Sequence, residues 1–536
     1  MSKINNPILC GFNPDPCICK AEDKWYIAVS TFEWYPGVSI YESEDMVNWN
    51  LKINPLNRSS QLNLIGAQPS GGIWAPGLSY MDGQFWLVYT DNKLWKGETS
   101  LQPLRDMHNY LVTAPSIEGP WSEPVHLVSD VYDPYLFDDE GRKWLLYTKR
   151  DFRGVHRDLI AGIFIREYSV EEKRLIGEER LIYKGAEIEP DFYIKTQIYE
   201  GSYMIKKDGY YYLITAEGGA GYTHCTCISR SKNLFGPYEL HPYTPMLTSM
   251  NSNSSLKKSG HGNLIEGPNG QWFITFLCCR PIPNTKYSPL GRETGICPIK
   301  WVDGWPYIRD GGINPPEEFE IMGDVKKYTN HNWTLDFKEV ISLPAEIMAL
   351  RRTIDEDWCS LNPKEGHLRI YGQESPTSRF HQSLLGARVR DFEFESITCL
   401  TFDPKNYHHM AGLMLRYDEN TYYYLFITRN DNNDKVLSFI RMDAGEFTYK
   451  NALAVLNEKS LVHLKLGVKD YKVYFAYKED ESQWTKLDIE EEFYKVSDEH
   501  ATPVGYTGSF VAITVNDLDG FKRYADFSYW DYKTLL

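Results

Sequence analysis

The chain has 536 residues, which at roughly 100–200 residues per domain leaves room for two to four domains, each large enough for its own core. No stretch approaches the ~18 uninterrupted apolar residues that a membrane-spanning helix needs. The 57 Lys+Arg against 73 Asp+Glu give a net charge of −16 with no basic stripe, which speaks against a nucleic-acid partner.

Aromatic residues make up 14% of the chain, a content that suits β-strands and also stacking on the C–H faces of sugar rings. The segment Met1 to Pro7 has no apolar core of signal-peptide length, and ten cysteines in a chain this long are not a disulfide framework. The expectation is a cytoplasmic protein with reduced thiols. Cys17 and Cys19, and Cys225 and Cys227, lie two apart in apolar, strand-like runs, and His224 beside Cys225 would extend a thiol metal site. No CxxC pair or second ligand cluster accompanies them, so the expected thiols are buried and metal-free.

A turn followed by aromatic residues and a short apolar run recurs five times. The copies begin at Asp23-Lys24-Trp25-Tyr26, Gly83-Gln84-Phe85-Trp86, Gly141-Arg142-Lys143-Trp144, Gly209-Tyr210-Tyr211-Tyr212 and Gly270-Gln271-Trp272-Phe273. Aligned on Trp25, Phe85, Lys143, Tyr211 and Trp272, they are spaced by 60, 58, 68 and 61 residues. A period of that size holds about four strands, one propeller blade, so the expected fold is all-β, with a five-bladed β-propeller over residues 1–318.

Equivalent positions of the innermost strands ring a propeller's axis. Ten or eleven residues before each aligned position stand Asp15, Trp74 or Ala75, Asp133, Glu200 and His261. Three carboxylates from three blades could bind a cation such as Ca²⁺. They could equally hydrolyse a glycosidic bond, where one carboxyl protonates the leaving oxygen, another activates water, and a third raises its neighbour's pKa. The aromatic excess favours sugar. No sequence motif demands a metal or other cofactor.

The segments Phe12-Asn13-Pro14-Asp15-Pro16, Ser30 to Val38 (STFEWYPGV), Gly71 to Pro76 (GGIWAP), Asp133-Pro134, Thr215 to Gly219 (TAEGG) and Gly291-Arg292-Glu293-Thr294 resemble glycoside hydrolase family 43. The resemblance is to its two-domain β-xylosidases and runs over essentially the whole chain. It implies that Asp15 is the general base, Glu200 the general acid, and Asp133 the residue that tunes pKa and orients. It implies inversion at the anomeric carbon and a substrate of short xylo-oligosaccharides cut from their non-reducing ends, with α-L-arabinofuranosidase activity as the alternative and a non-catalytic sugar-binding propeller, its acids holding a cation, as the reading from another class. Phe32 and Trp74 match walls of the terminal-sugar subsite, Arg292 a grip on sugar hydroxyls, and His261 an active-site histidine. Related enzymes often form dimers or tetramers. Two departures stand out. The acid motif reads Glu200-Gly201-Ser202-Tyr203 where the family usually has Glu-Gly-Pro-His, with rival acids nearby such as Glu189. In the third blade, Arg150-Asp151 replaces a Trp-Asp pair.

The repeat stops near Asn314-Pro315-Pro316, and a polar linker is expected over 319–335. Beyond it, apolar runs such as Thr421 to Ile427 (TYYYLFI) and Val462 to Val468 (VHLKLGV) at strand-like spacing suggest a β-sandwich over 336–536. Taken alone, this domain could be a carbohydrate-binding module or a structural partner. The resemblance implies that a loop of it closes the pocket, with Phe510 of Gly505-Tyr506-Thr507-Gly508-Ser509-Phe510 on the leaving-group side.

Overall fold

The computed structural model describes residues 2–94, 105–151, 160–186, 198–321, 330–362, 365–502 and 505–535. Five antiparallel sheets form a five-bladed propeller. Their first strands are Cys17–Ala21, Gly72–Met81, Val131–Asp139, Tyr199–Lys207 and Lys257–Glu266. Each packs against the next, and the fifth packs against the first, which closes the ring.

The recurring sequence element is the hairpin between the first and second strands of a blade. Asp82-Gly83, Glu140-Gly141, Asp208-Gly209 and Asn269-Gly270 all take left-handed φ at both positions. That pair of conformations fits a two-residue turn whose twist matches the flanking strands, and glycine carries its second half without a Cβ penalty. The aromatic residues that follow face the core between blades, as Phe85, Trp144 and Tyr211 do.

The propeller is sewn shut at its chain ends. Ser2–Asn5 pairs antiparallel with Glu318–Ile321. The Asn6 side-chain amide donates to the carbonyls of Ile296 and Pro316 (both 2.8 Å), and its oxygen accepts the Ile296 N–H (2.9 Å). The boundary expected at 318/319 therefore cuts through a strand. Trp333–Asp336, at the far end of the expected linker, already pairs with the sandwich strand Tyr524–Thr534. A repeat period cannot reveal either pairing, because both are made with residues more than 190 positions away.

The remainder is a sandwich of two sheets. One runs in the order Glu446–Val455, Lys435–Asp443, Thr421–Arg429, His409–Asp418, Phe510–Asp517, Ser383–Arg388, Met348–Leu350, and ends on Trp34–Tyr35 from the propeller portion of the chain. The other is built around Tyr524–Thr534, Phe394–Phe402, Val462–Lys469 and Lys472–Glu479. Leu413, Leu425 and Ile513 meet Leu464, Phe475 and Phe527 between the sheets. The opposite face of the first sheet, with Met414, Tyr424 and Phe510, packs on Phe12, Phe32 and Trp34 of the first blade. Every residue of Thr421–Arg429 is consequently buried, and the strand reads as an unbroken apolar run instead of an alternating one. Among the described residues, no helix is long and apolar enough to cross a membrane.

The seam between propeller and sandwich is specific. Trp34 stacks on Phe510 at 3.8 Å, and Phe510 meets Phe12 edge-on at 5.8 Å. The buried Arg388 donates from Nε to the Phe12 carbonyl (2.7 Å) and from Nη2 to the Ser39 hydroxyl (2.9 Å). Trp34→Ala would leave a cavity at this stack and is expected to cost about 3–5 kcal/mol. Denaturant titration followed by intrinsic fluorescence checks this; an unchanged midpoint would show that the seam carries no stability.

Candidate active site

Four of the five first strands break register close to the axis, the first blade's Cys17–Ala21 being regular. The irregularities fall between Trp74 and Gly77, Tyr132 and Tyr135, Glu200 and Tyr203, and Gly260 and Asn263. At three of these breaks the backbone turns left-handed, at Asp133 (φ 51), Gly201 (φ 58) and His261 (φ 55), and Asp15 (φ 55) does the same just ahead of the first blade's strand. A bulge re-aims side chains, so that two successive residues can face one cavity. Glu200 is thus not the structural equivalent of Asp15 and Asp133. Gly201 is, and Glu200 corresponds to Tyr132 and Trp74. A Cβ at Gly201 would lie 2.9 Å from the His261 ring, so this position needs glycine for space as well as for φ.

The strand ends surround a cavity of about 270 Å³. That is at the small end of ligand pockets, which run roughly 300–1,000 Å³. Asp15, Asp133, Glu200, Phe32, Trp74, His261 and Arg292 all line it. The rival acid Glu189 lies outside the described residues.

Asp15 is held by donors. Arg292 reaches it with Nη1 (2.8 Å) and Nη2 (3.4 Å), and the Ser30 hydroxyl adds a bond of 2.7 Å. This near-bidentate, charge-assisted set suits a carboxylate anion. His261 Nδ1 stands 4.0 Å from Asp15 Oδ1. Burial lowers the His261 pKa, with Asp15 acting in the opposite sense and Arg292 adding to the fall.

Glu200 and Asp133 form a second group. The Tyr132 hydroxyl donates to Glu200 Oε2 (2.8 Å), and the Gly201 N–H donates to Asp133 Oδ2 (2.9 Å). Burial raises the Glu200 pKa, Asp15 adds to the rise, and the Tyr132 bond works against it. Burial, then Glu200 and Asp15, push Asp133 well above the usual carboxylate range. Both carboxyls are thus pushed toward holding a proton. By gripping the peptide that follows Glu200, Asp133 also fixes where that carboxyl sits.

The walls depend on exchanged backbone bonds. Phe32 and Ile73 trade N–H···O=C bonds of 3.0 and 3.1 Å, which brings the Phe32 ring within 6.4 Å of Trp74. Ser70 organises the remaining wall. Its carbonyl accepts the Trp74 indole N–H (2.9 Å) and its hydroxyl accepts the Tyr506 backbone N–H (2.9 Å). Its own N–H donates to the buried Glu33 (3.1 Å). Burial pushes the Glu33 carboxyl up to about 7, opposed by Arg351, whose backbone N–H donates to the Glu33 carbonyl (2.9 Å).

Phe510 does not line the cavity. It is fully buried at the seam, stacked on Trp34, because its side chain lies on the sheet face that docks against the first blade. The residue of that stretch which reaches the pocket is Tyr506, four positions earlier. Its carbonyl accepts from Arg292 Nη2 (3.3 Å), and its ring lies 5.5 Å from the Arg292 guanidinium.

The sequence reading also missed Tyr132 and His224 as pocket residues. Tyr132 precedes a flagged acid, and only the bulge explains why both face inward. His224 was weighed only as a metal ligand. Its Nδ1 lies 2.7 Å from the Gly219 carbonyl, which can only accept, so Nδ1 carries the proton. Burial, reinforced by His261, lowers its pKa to about 3, and its buried Nε2 has no protein partner. His224 therefore offers the cavity a neutral acceptor. Cys225 and Cys227 are buried beside it in the fourth blade, and among the described residues no three His, Cys, Asp or Glu side chains converge to hold a metal.

The cavity pairs a carboxylate held by donors on one side with two carboxyls pushed toward holding a proton on the other, between aromatic walls. Such an arrangement can protonate one oxygen while deprotonating another. Comparison with known proteins agrees with this chemistry. Residues 4–306 match glycosyl hydrolases family 43, and residues 335–533 match the beta xylosidase C-terminal concanavalin A-like domain. A beta-xylosidase of Bacillus subtilis (strain 168) is 38% identical, with 99% of each chain aligned. A xylan 1,3-beta-xylosidase of a Vibrio species is 36% identical over the same shares. The crystal structure of a xylan beta-1,4-xylosidase from Bacillus halodurans C-125 superposes with a TM-score of 0.93 at 42% identity, covering 99% of this chain and all of that one. The chain belongs to glycoside hydrolase family 43.

Proposed function

We propose that this protein is an exo-acting β-xylosidase that removes β-1,4-linked D-xylose from the non-reducing ends of xylo-oligosaccharides by single displacement with inversion. The observation that carries the reading is the division of labour among the acids. Asp15 sits in a full set of donors, as a base that must stay ionised does, whereas Glu200 is held toward its protonated form by burial and by Asp15. In this reading Asp15 takes a proton from the attacking water as Glu200 gives one to the departing oxygen. Asp133 holds Glu200 in place through the Gly201 N–H and shares its proton load. The Tyr506 loop closes one side of the pocket, which suits removal of a single terminal sugar. The names of the relatives support xylose as the sugar. A reducing compartment, the cytoplasm, suits ten cysteines that form no disulfide.

The direct test is a proton NMR time course of the anomeric region with xylobiose. α-Xylose should accumulate first. Early β-xylose would mean retention and overturn the mechanism, while cleavage of 1,3-linked xylobiose or of arabinofuranosides in preference would reassign the substrate.

The two acid roles separate by leaving group. Asp15→Ala and Glu200→Ala should each lower turnover of xylobiose by about 10²–10⁴-fold or more. An aryl xyloside, whose phenolate departs with little protonation, should recover much of the loss in Glu200→Ala and none in Asp15→Ala. Equal losses on both substrates would remove the acid assignment from Glu200.

The Tyr132 bond favours the anionic form of Glu200. Without it the carboxyl holds its proton to higher pH, so Tyr132→Phe should move the alkaline limb of the kcat profile upward. A kcat profile measured across neutral and alkaline pH decides; an unmoved or lowered limb would mean that another group sets it.

A further inference from the structure

Two arginines in the cavity have no part in the chemistry above. Arg150 ends the second strand of the third blade, and Arg105 stands immediately before the third strand of the second, Asp106–Ala114. Both line the pocket. Several other buried or half-buried arginines pair with a carboxylate, Arg292 with Asp15, Arg280 with Glu293 and Arg351 with Glu419, while Arg388 is satisfied by the Phe12 carbonyl and the Ser39 hydroxyl. Among the described residues neither Arg105 nor Arg150 is in a salt bridge, although the charge of Arg150 reaches Asp130 and Glu200, and Arg105 Nη1 is buried without a hydrogen-bond partner. Burial and the charge of Arg150 both lower the Arg105 pKa, so the two guanidiniums feel each other. Two like charges held this way are unfavourable unless an anion joins them.

Their position says which part of the substrate that anion would belong to. Thr148, two residues before Arg150, is the register partner of Tyr132, whose hydroxyl bonds to Glu200, and Met107, two residues after Arg105, accepts the N–H of Asp130 just ahead of Tyr132. Asp15 is already matched by Arg292. The pair therefore stands on the side of the acid, where the departing sugar lies, and not on the side of the attacking water. Buried Met107 and Ile160 line the same cavity, and an apolar lining strengthens an ion pair formed there.

We propose that the leaving-group side of this pocket recognises an acidic sugar: a xylo-oligosaccharide whose penultimate unit carries a uronic-acid carboxylate, received between Arg150 and Arg105. The assignment rests on the glycosidase reading of the same pocket. A guanidinium fork matches a carboxylate in two parallel bonds, whereas a neutral xylose offers only hydroxyls. A site built for a charged group discriminates against the analogue that lacks it.

The experiment compares kcat/KM for xylobiose bearing a glucuronosyl group on its reducing-end xylose with kcat/KM for plain xylobiose. The charged substrate should be preferred by about ten-fold or more at low salt, and the preference should shrink as sodium chloride is added. Arg150→Gln and Arg105→Gln should each lower the ratio, and Arg150→Lys should keep part of it. Equal or poorer use of the charged substrate by the wild-type enzyme would overturn the proposal. Should neither substrate be cleaved, the glycosidase reading fails on its own. Calorimetric titration with the same two sugars then decides the anion site, with tighter binding of the charged one supporting it and equal binding ending it.

Discussion

The Arg292 guanidinium is where the parts of this molecule meet. It leaves the fifth blade, grips Asp15 at the entry to the first, lies 5.4 Å from the Phe32 ring, and donates to the Tyr506 carbonyl of the sandwich. A planar group with fixed donors can do all of this at once only if the ring of blades is closed and the sandwich is docked. Closure by Ser2–Asn5 on Glu318–Ile321 and docking through the Trp34–Phe510 stack are therefore conditions of the site, although neither element touches the pocket.

The second constraint is the bulge repeated near the axis. A regular strand turns alternate side chains to opposite faces, so one strand could offer the cavity only one of Tyr132 and Asp133. The bulge with its left-handed Asp133 removes that limit, and the third blade supplies both an acid and the hydroxyl that bonds to the fourth blade's acid. The electrostatics follow from the geometry: three carboxylates share a buried space, one is satisfied by a guanidinium, and the other two are pushed toward holding a proton.

The sandwich does more than abut the propeller. Its sheet takes Trp34–Tyr35 as an edge strand, and Arg351 grips the backbone of Glu33 one residue earlier. Glu33 positions Ser70, and Ser70 positions both Trp74 and Tyr506. A wall on the propeller and a wall on the sandwich thus hang from one serine, and they cannot shift independently.

Much of this was legible in the chain. The five turn-plus-aromatic units announce the blades, since a two-residue left-handed turn favours glycine at its second position and leaves that mark at Gly83, Gly141, Gly209 and Gly270. Counting back from them finds Asp15, Asp133 and His261, because the strand length between turn and axis is nearly constant. The count varies between ten and eleven residues, so in the fourth blade it cannot separate Glu200 from the bulge residue Gly201, which no side chain marks. What the sequence could not decide is which face a residue of a doubly buried strand presents. Phe510 and Tyr506 lie four apart in one aromatic-bearing stretch, and only the docking of the sheet against the first blade sends the first into the seam and leaves the second in the pocket. Local periodicity sets turns, strands and their spacing. Contacts between residues hundreds of positions apart decide which of two similar side chains meets the substrate.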